Sequence, residues 1–177
     1  MSVATREPFP VPRSVAIALA AAGPVAAGGI LAVRAGDASP MFAAPVIVFG
    51  VVAATGPALY IATAAVGHAP PLAAVVRAFG VALGAFGIAL AGLLLPAAFI
   101  AVSSVSAATT ITAATGALAV AAYLGLRRLA IELRPASSAE LVTGASLASS
   151  AVFLVWAVAT VAIAGRLWWD LAVELVP

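Results

Sequence analysis

The longest uncharged run of the chain decides its architecture. Residues 78–126 carry no charged side chain, and as one α-helix they would extend about 74 Å. The hydrocarbon core of a bilayer is about 30 Å thick, and tilting recovers only a small part of the difference. The run must therefore fold back and cross a membrane twice. We place the turn at residues 103–106, whose serines can hydrogen-bond backbone groups that the turn frees.

Composition sets the class of protein. The chain is 65% hydrophobic and only 8% charged, with a mean hydropathy of +1.24. Soluble domains average about 25% charged residues. We therefore predict an all-α fold, a polytopic transmembrane helical bundle whose partner is the lipid bilayer.

The apolar segments divide the chain into five predicted spans. Ser39 and Pro40 are typical of the start of a helix, which places the second span. The first 13 residues form an amino-terminal segment, and residues 166–177 form an interfacial tail. The predicted spans cover residues 14–33, 41–66, 78–101, 107–126 and 141–165.

Arginines predict the orientation of these spans. Six arginines fall on one side of the predicted bundle and two, Arg34 and Arg166, on the other; the six are Arg6, Arg13, Arg77, Arg127, Arg128 and Arg134. Positive charge concentrates in cytoplasmic loops, so the amino terminus is predicted inside and the carboxyl terminus outside. Arg127, Arg128 and Arg134 are the residues expected to meet lipid headgroups. A cleaved signal peptide over the first segment is the alternative.

The membrane itself is inferred from composition. The chain is rich in alanine and contains arginine but no lysine, which is typical of a GC-rich bacterial genome. This predicts a multi-pass protein of the bacterial inner membrane.

Small residues at helical spacing are candidates for helix packing. Gly80, Gly84 and Gly92 lie along the third predicted span, and Ser146 and Ser150 lie along the fifth. Small side chains let helix backbones approach closely in lipid. These five residues are predicted to contact another helix, either of this chain or of a partner.

Two prolines near the middle of their spans are the candidates for broken helices. Pro24 and Pro57 each follow a glycine and lack the N–H that a helix interior uses. Paired broken helices form the substrate site of some transporters. A kink tolerated by neighbouring helices is the alternative.

The threonines of the fourth span and the tryptophans after the fifth are predicted to have structural roles. The threonines at positions 109, 110, 112 and 115 are spread around their helix and are predicted to bond to carbonyls of the same helix rather than line a pore. Trp168 and Trp169 follow the fifth predicted span and are expected to anchor at the membrane interface.

Several chemistries lack the residues that they need. The chain has no cysteine and one histidine, His68, and no Asp, Glu or Lys lies well inside a predicted span. This argues against a metal site, a cofactor site, an acid–base enzyme and an ion-coupled transporter. No basic patch faces an aromatic one, so nucleic acid is not an expected partner.

Two functions fit what remains. The first is a non-enzymatic subunit that packs or assembles in a membrane complex, with a membrane protein or a second copy of the chain as its partner. The second is a transporter or channel component for an uncharged or lipid-like solute, built around Pro24 and Pro57.

Overall fold

The chain folds entirely into helices wherever its structure is described. The computed structural model describes residues 13–67, 70–103, 106–133 and 144–174. In chain order these residues form α1 (Arg13–Ala35), α2 (Ser39–Ala65), α3 (Leu72–Ser103), α4 (Ala107–Glu132) and α5 (Gly144–Glu174). The predicted all-α fold is confirmed.

Most of these helices can cross a bilayer. In the described part of the chain, four helices are long and apolar enough, namely α2, α3, α4 and α5 from Leu147 onward, and α1 adds the shorter apolar stretch Ala20–Val33. At 32 residues, α3 is about 48 Å long, well beyond the hydrocarbon thickness of about 30 Å. The architecture is that of a multi-pass membrane protein.

The fold-back of the long uncharged run is present. Helix α3 ends at Ser103 and α4 begins at Ala107, and these two helices share the most extensive contact in the bundle. Gly125 near the end of α4 lies against Ala82 near the start of α3. The two helices are therefore antiparallel, as the length argument requires.

The helices extend further than the predicted spans. Helix α3 begins at Leu72, α4 continues to Glu132 and α5 continues to Glu174, so Arg77 and Arg127 lie within helices. Long arginine side chains can lie along the helix with the charge directed toward water, and a charged residue therefore need not end a helix. No break separates the fifth span from residues 166–174.

The turn between α1 and α2 is polar and tightly bonded. Gly36 adopts a left-handed φ of 68°, a conformation that glycine adopts readily. The Asp37 carboxylate accepts hydrogen bonds from the hydroxyl and the backbone N–H of Ser39, and these bonds lower the pKa of Asp37. The helix begins at Ser39, as the sequence predicts, and Ala38 occupies the cap position without a side-chain hydrogen bond.

The helices pack as an open ring. Helix α3 packs against α4 and α1, α1 against α2, and α2 against α5, whereas α4 and α5 make only slight contact. The order around the ring is therefore α4, α3, α1, α2, α5. The ring is weakest where its two ends, α4 and α5, meet.

Close approach of α1 to α2 depends on one glycine. A Cβ atom placed on Gly28 would lie 2.8 Å from the Cα of Met41 and 2.9 Å from the carbonyl carbon of Pro40, which is closer than van der Waals contact allows. The neighbouring Gly29 has open space at the same position. Sequence reasoning did not select Gly28, because both glycines look alike in the sequence.

We predict that Gly28→Ala lowers the free energy of unfolding and Gly29→Ala does not. The added methyl group at position 28 must push α2 away, and overpacking of this kind costs about 1–3 kcal/mol. Thermal unfolding of both variants in the same detergent measures the difference. Equal stability of the two variants would contradict the close approach of α1 to α2.

Candidate functional site

A cavity lies between four of the five helices. Its volume is about 250 Å³, and its walls come from α2 (residues 44–52), α3 (79–86), α4 (115–129) and α5 (156–168). Helix α1 contributes no wall. The cavity therefore lies where the ring of helices closes least tightly.

Small side chains leave the space open. Ala119, Ala122 and Ala164 line the cavity with a single methyl group each. At Gly165, which also lines it, an added Cβ would meet no atom within 4 Å. Larger side chains at these positions would fill the space, so the alanine-rich composition is what creates the cavity.

The wall of the cavity is almost entirely apolar. Its polar groups are the hydroxyls of Thr115 and Thr160 and the indole N–H groups of Trp156 and Trp168. None of the lining residues is charged. Such a wall can recognise a hydrocarbon surface but offers no partner to an ion.

Trp156 joins α5 to α2 at one end of the cavity. Its indole N–H donates a 2.8 Å hydrogen bond to the backbone carbonyl of Thr55, and the Thr160 hydroxyl lies 3.2 Å from the hydroxyl of Thr55. The Trp156 ring meets Phe79 edge-on at 5.8 Å between centroids and Phe153 at 5.9 Å. An unpaired N–H in hydrocarbon costs several kcal/mol, so this bond fixes the position of the ring.

Trp168 joins α5 to α4 at the other end. Its indole N–H donates a 2.8 Å hydrogen bond to the hydroxyl of Thr115, and its ring packs against Leu31 and Ala44 in a buried cluster. The side chain is only 8% exposed, whereas that of Trp169 is 62% exposed. The expectation of an exposed interfacial anchor therefore fits Trp169 and not Trp168, because the Trp168 ring is buried and its N–H is bonded to Thr115 on α4.

The seam between α4 and α5 connects the cavity with the outer surface. A shallower hollow is lined by Leu126, Ala157, Val158, Val161 and Ala162, and it shares Leu126 and Val161 with the cavity. Val158 and Ala162 are exposed. The cavity is therefore open toward the surroundings between α4 and α5, where its lining residues Thr115, Ala119, Val161 and Gly165 are exposed.

The two prolines are not part of this site. Both α1 and α2 run as continuous helices through Pro24 and Pro57. Pro24 is buried and Pro57 is exposed, and neither lines the cavity. The kinked but continuous helix, given above as the alternative, agrees with this arrangement.

The predicted packing glycines have different surroundings. Gly84 is buried in the bundle, whereas Gly80 and Gly92 are exposed and have no atom within 4 Å of an added Cβ. Besides Gly28, closer approaches occur at two further glycines that the sequence did not single out. A Cβ atom added to Gly23 would lie 3.2 Å from the Gly87 carbonyl oxygen, and one added to Gly125 would lie 3.0 Å from the Cβ of Phe86.

The other predicted residues that the structure describes lie outside the cavity. Arg127 is exposed, and Arg128 pairs with Glu132 at 2.6 Å. Ser150 is an exposed residue of α5. The side chain of Ser146, the whole of Arg134 and the loop histidine His68 lie outside what the structure describes.

The threonines of α4 follow their prediction only in part. The Thr112 hydroxyl donates to the Ala108 carbonyl as expected, but Thr115 accepts the Trp168 indole instead. Thr110 is 1% exposed and its hydroxyl has no hydrogen-bond partner. A tertiary contact therefore involves the hydroxyl of Thr115, whereas the hydroxyl of Thr110 makes neither the expected bond nor another one.

A signal for part of the site was present in the sequence. Trp156 lies in the middle of the fifth predicted span, far from either interface, where an indole N–H must find an acceptor within the protein. That position predicts a contact between helices. The identity of the acceptor, Thr55 in α2, is set only by the fold.

Comparisons with known proteins find no match. No protein-family model, no curated protein and no solved structure matches this chain. The fold and the cavity by themselves define the class, which is a helical multi-pass membrane protein with an apolar cavity between helices.

We predict that Trp156→Phe weakens the packing of α5 on α2, because it removes the hydrogen bond to Thr55 and keeps an aromatic ring. Hydrogen bonds between membrane helices contribute about 1 kcal/mol or less, so we expect a loss of about that size in the free energy of unfolding. Trp169→Phe, at an exposed position of the same helix, serves as the control. A larger loss in the control would contradict the assignment.

Proposed function

We propose that the protein is a non-enzymatic integral membrane protein that holds an uncharged, lipid-like molecule inside its helical bundle. The observation that supports this function is the apolar cavity of about 250 Å³ between α2, α3, α4 and α5. The class of solute agrees with the second function expected from the sequence. Its location differs, since the cavity lies away from Pro24 and Pro57.

The size and chemistry of the cavity favour such a ligand. An apolar cavity of about 150 Å³ stays dry and takes up benzene, and sites for small molecules begin near 300 Å³. Atoms that face an empty cavity lose dispersion contacts on that side, so an apolar occupant that restores these contacts is stabilised. A charged ligand would find no partner in this wall.

Filling the cavity should remove the ligand. We predict that Ala164→Leu reduces the amount of lipid-like molecule that copurifies with the protein in mild detergent, because Ala164 lines the cavity. Ala159→Leu makes the same change at an exposed position of α5 outside the cavity and should have no effect. Extraction of both purified variants, followed by mass spectrometry, measures the bound molecules per chain.

Two results would contradict this function. One is that unmodified protein carries no bound apolar molecule beyond the detergent. The other is that both leucine variants lose it equally, since a general effect on lipid contact would then explain the loss.

We propose the orientation and location that the arginines predict, with five spans, a cytoplasmic amino terminus and the bacterial inner membrane. The turn between α1 and α2 would then face outward, and the start of α3 would face the cytoplasm. Ala38 and Ala73 are exposed at these two places.

Single cysteines test this orientation directly, because the natural chain has none. In whole cells, Ala38→Cys should react with a thiol reagent that cannot cross the inner membrane. Ala73→Cys should react only after the cells are opened. The reverse pattern would invert the proposed orientation.

Assembly with a partner remains a prediction from the sequence. Gly80 and Gly92 are both exposed on α3 with open space beside them, but at 100° per residue they lie about 120° apart around the helix. No contact among the described residues indicates what would cover either position. The proposed function therefore rests on the cavity and not on these glycines.

A further inference from the structure

We infer that the occupant of the cavity is one extended hydrocarbon chain of a two-chain membrane lipid, which enters sideways between α4 and α5. This inference rests on the proposed function and adds the class of ligand and its route of access. The shape of the cavity, its seam and its lack of charge each support it.

The cavity is elongated along α4 and α5. Its wall on α4 extends from Thr115 to Leu129, and its wall on α5 from Trp156 to Trp168, which correspond to lengths of about 21 Å and 18 Å at 1.5 Å per residue. A volume of about 250 Å³ distributed over such a length accommodates an extended chain better than a compact ring system. Half of a bilayer's hydrocarbon core is about 15 Å thick, so the chain of a lipid in one leaflet fits within this length.

The two ends of the cavity are fixed by tryptophans. Trp156 is held by the Thr55 carbonyl and Trp168 by the Thr115 hydroxyl, and each side chain is 8% exposed. Because both indole N–H groups already have acceptors, the ends present ring surface to an occupant. This arrangement limits the length of the chain and offers no hydrogen bond to a polar end.

The seam between α4 and α5 is the route that requires the least disruption. These two helices make only slight contact, whereas α3 and α4 pack extensively. Leu126 and Val161 line both the cavity and the outer hollow, and Val161 is 48% exposed. The cavity is already open on this side, where Thr115, Ala119 and Gly165 of its wall are exposed, so a chain of the surrounding lipid can enter sideways.

The absence of charge in the wall assigns the headgroup to the outside. A carboxylate or phosphate taken out of water without a partner is strongly unfavourable, and no lining residue is cationic. The headgroup and the second chain of a lipid can remain in the bilayer while the first chain passes the seam. A free fatty acid would have to place its carboxylate at the same membrane depth, which makes it the weaker candidate.

Trp156 provides a reporter for this occupant. A variant with Trp168→Phe and Trp169→Phe keeps Trp156 as the only tryptophan, since the chain has three. Because Trp168 borders the cavity, mass spectrometry first compares the lipid that copurifies with this variant and with the unmodified protein. If Trp168→Phe lowers that amount, Trp169→Phe alone serves as the background, and the two tryptophans that border the cavity report together. In lipid nanodiscs, phosphatidylcholine with one linear dibrominated chain should quench Trp156 fluorescence. Phosphatidylcholine with a methyl-branched brominated chain should quench it severalfold less, because a branched chain needs more room between the helices than a linear one.

Two substitutions in this background test the site and its access. Ala164→Leu should abolish most of the quenching by the linear lipid, and Ala159→Leu should not. When brominated lipid is added from vesicles, Leu126→Ala should make quenching severalfold faster, because it widens the seam. Leu124→Ala is the matched control and should leave the rate unchanged, because this exposed position of α4 lines neither the cavity nor the outer hollow.

The other outcomes distinguish the lipid chain from another ligand, from bulk lipid and from an empty cavity. Quenching by bromobenzene but not by the linear lipid would overturn the lipid chain and leave the proposed function standing. Quenching by a dibrominated fatty acid alone would assign a free fatty acid and overturn the two-chain lipid. Equal quenching by linear and branched lipids in all variants would show that Trp156 contacts bulk lipid, and no quenching by any probe would contradict the proposed function as well.

Discussion

In hydrocarbon, one apolar helix gains little by turning its side chains toward another helix, because lipid tails are as apolar as leucine. Helices therefore associate where their surfaces fit closely and where polar groups need partners. In this protein close fit is concentrated at glycines of α1 and α4, with Gly28 against the start of α2 and Gly125 against α3. With Gly23 of α1 against α3, these contacts connect α1, α2, α3 and α4.

Helix α5 is attached in a different way. It packs mainly against α2 and hardly touches α4, and hydrogen bonds from Trp156 and Trp168 connect it to α2 and α4. These two bonds act at separate points about 18 Å apart along the helix. Between them the small residues of α4 and α5 do not fill the interior, and the cavity results.

The gap that this packing leaves between the helices is the basis of the proposed function. A gap between membrane helices contains either nothing or hydrocarbon, and an empty gap forfeits dispersion contacts. A gap bounded by tryptophans and opening along a weak seam suits an extended chain that already lies in the bilayer. Binding then requires no catalytic residue and no charge, in agreement with the chemistry that the sequence lacks.

The sequence by itself determined the helical class, the fold-back after Ser103 and the absence of charge inside the spans. These features follow from bilayer thickness and from the cost of charge in hydrocarbon, which act on each segment separately. Only the tertiary structure decided that Gly28 contacts a neighbouring helix while Gly80 does not, and that Trp156 and Trp168 enclose a cavity. The reason is that lipid-facing and protein-facing sides are equally apolar: Leu95 is 78% exposed and Leu90 is fully buried, so no amphipathic pattern indicates which side of a helix faces the bundle.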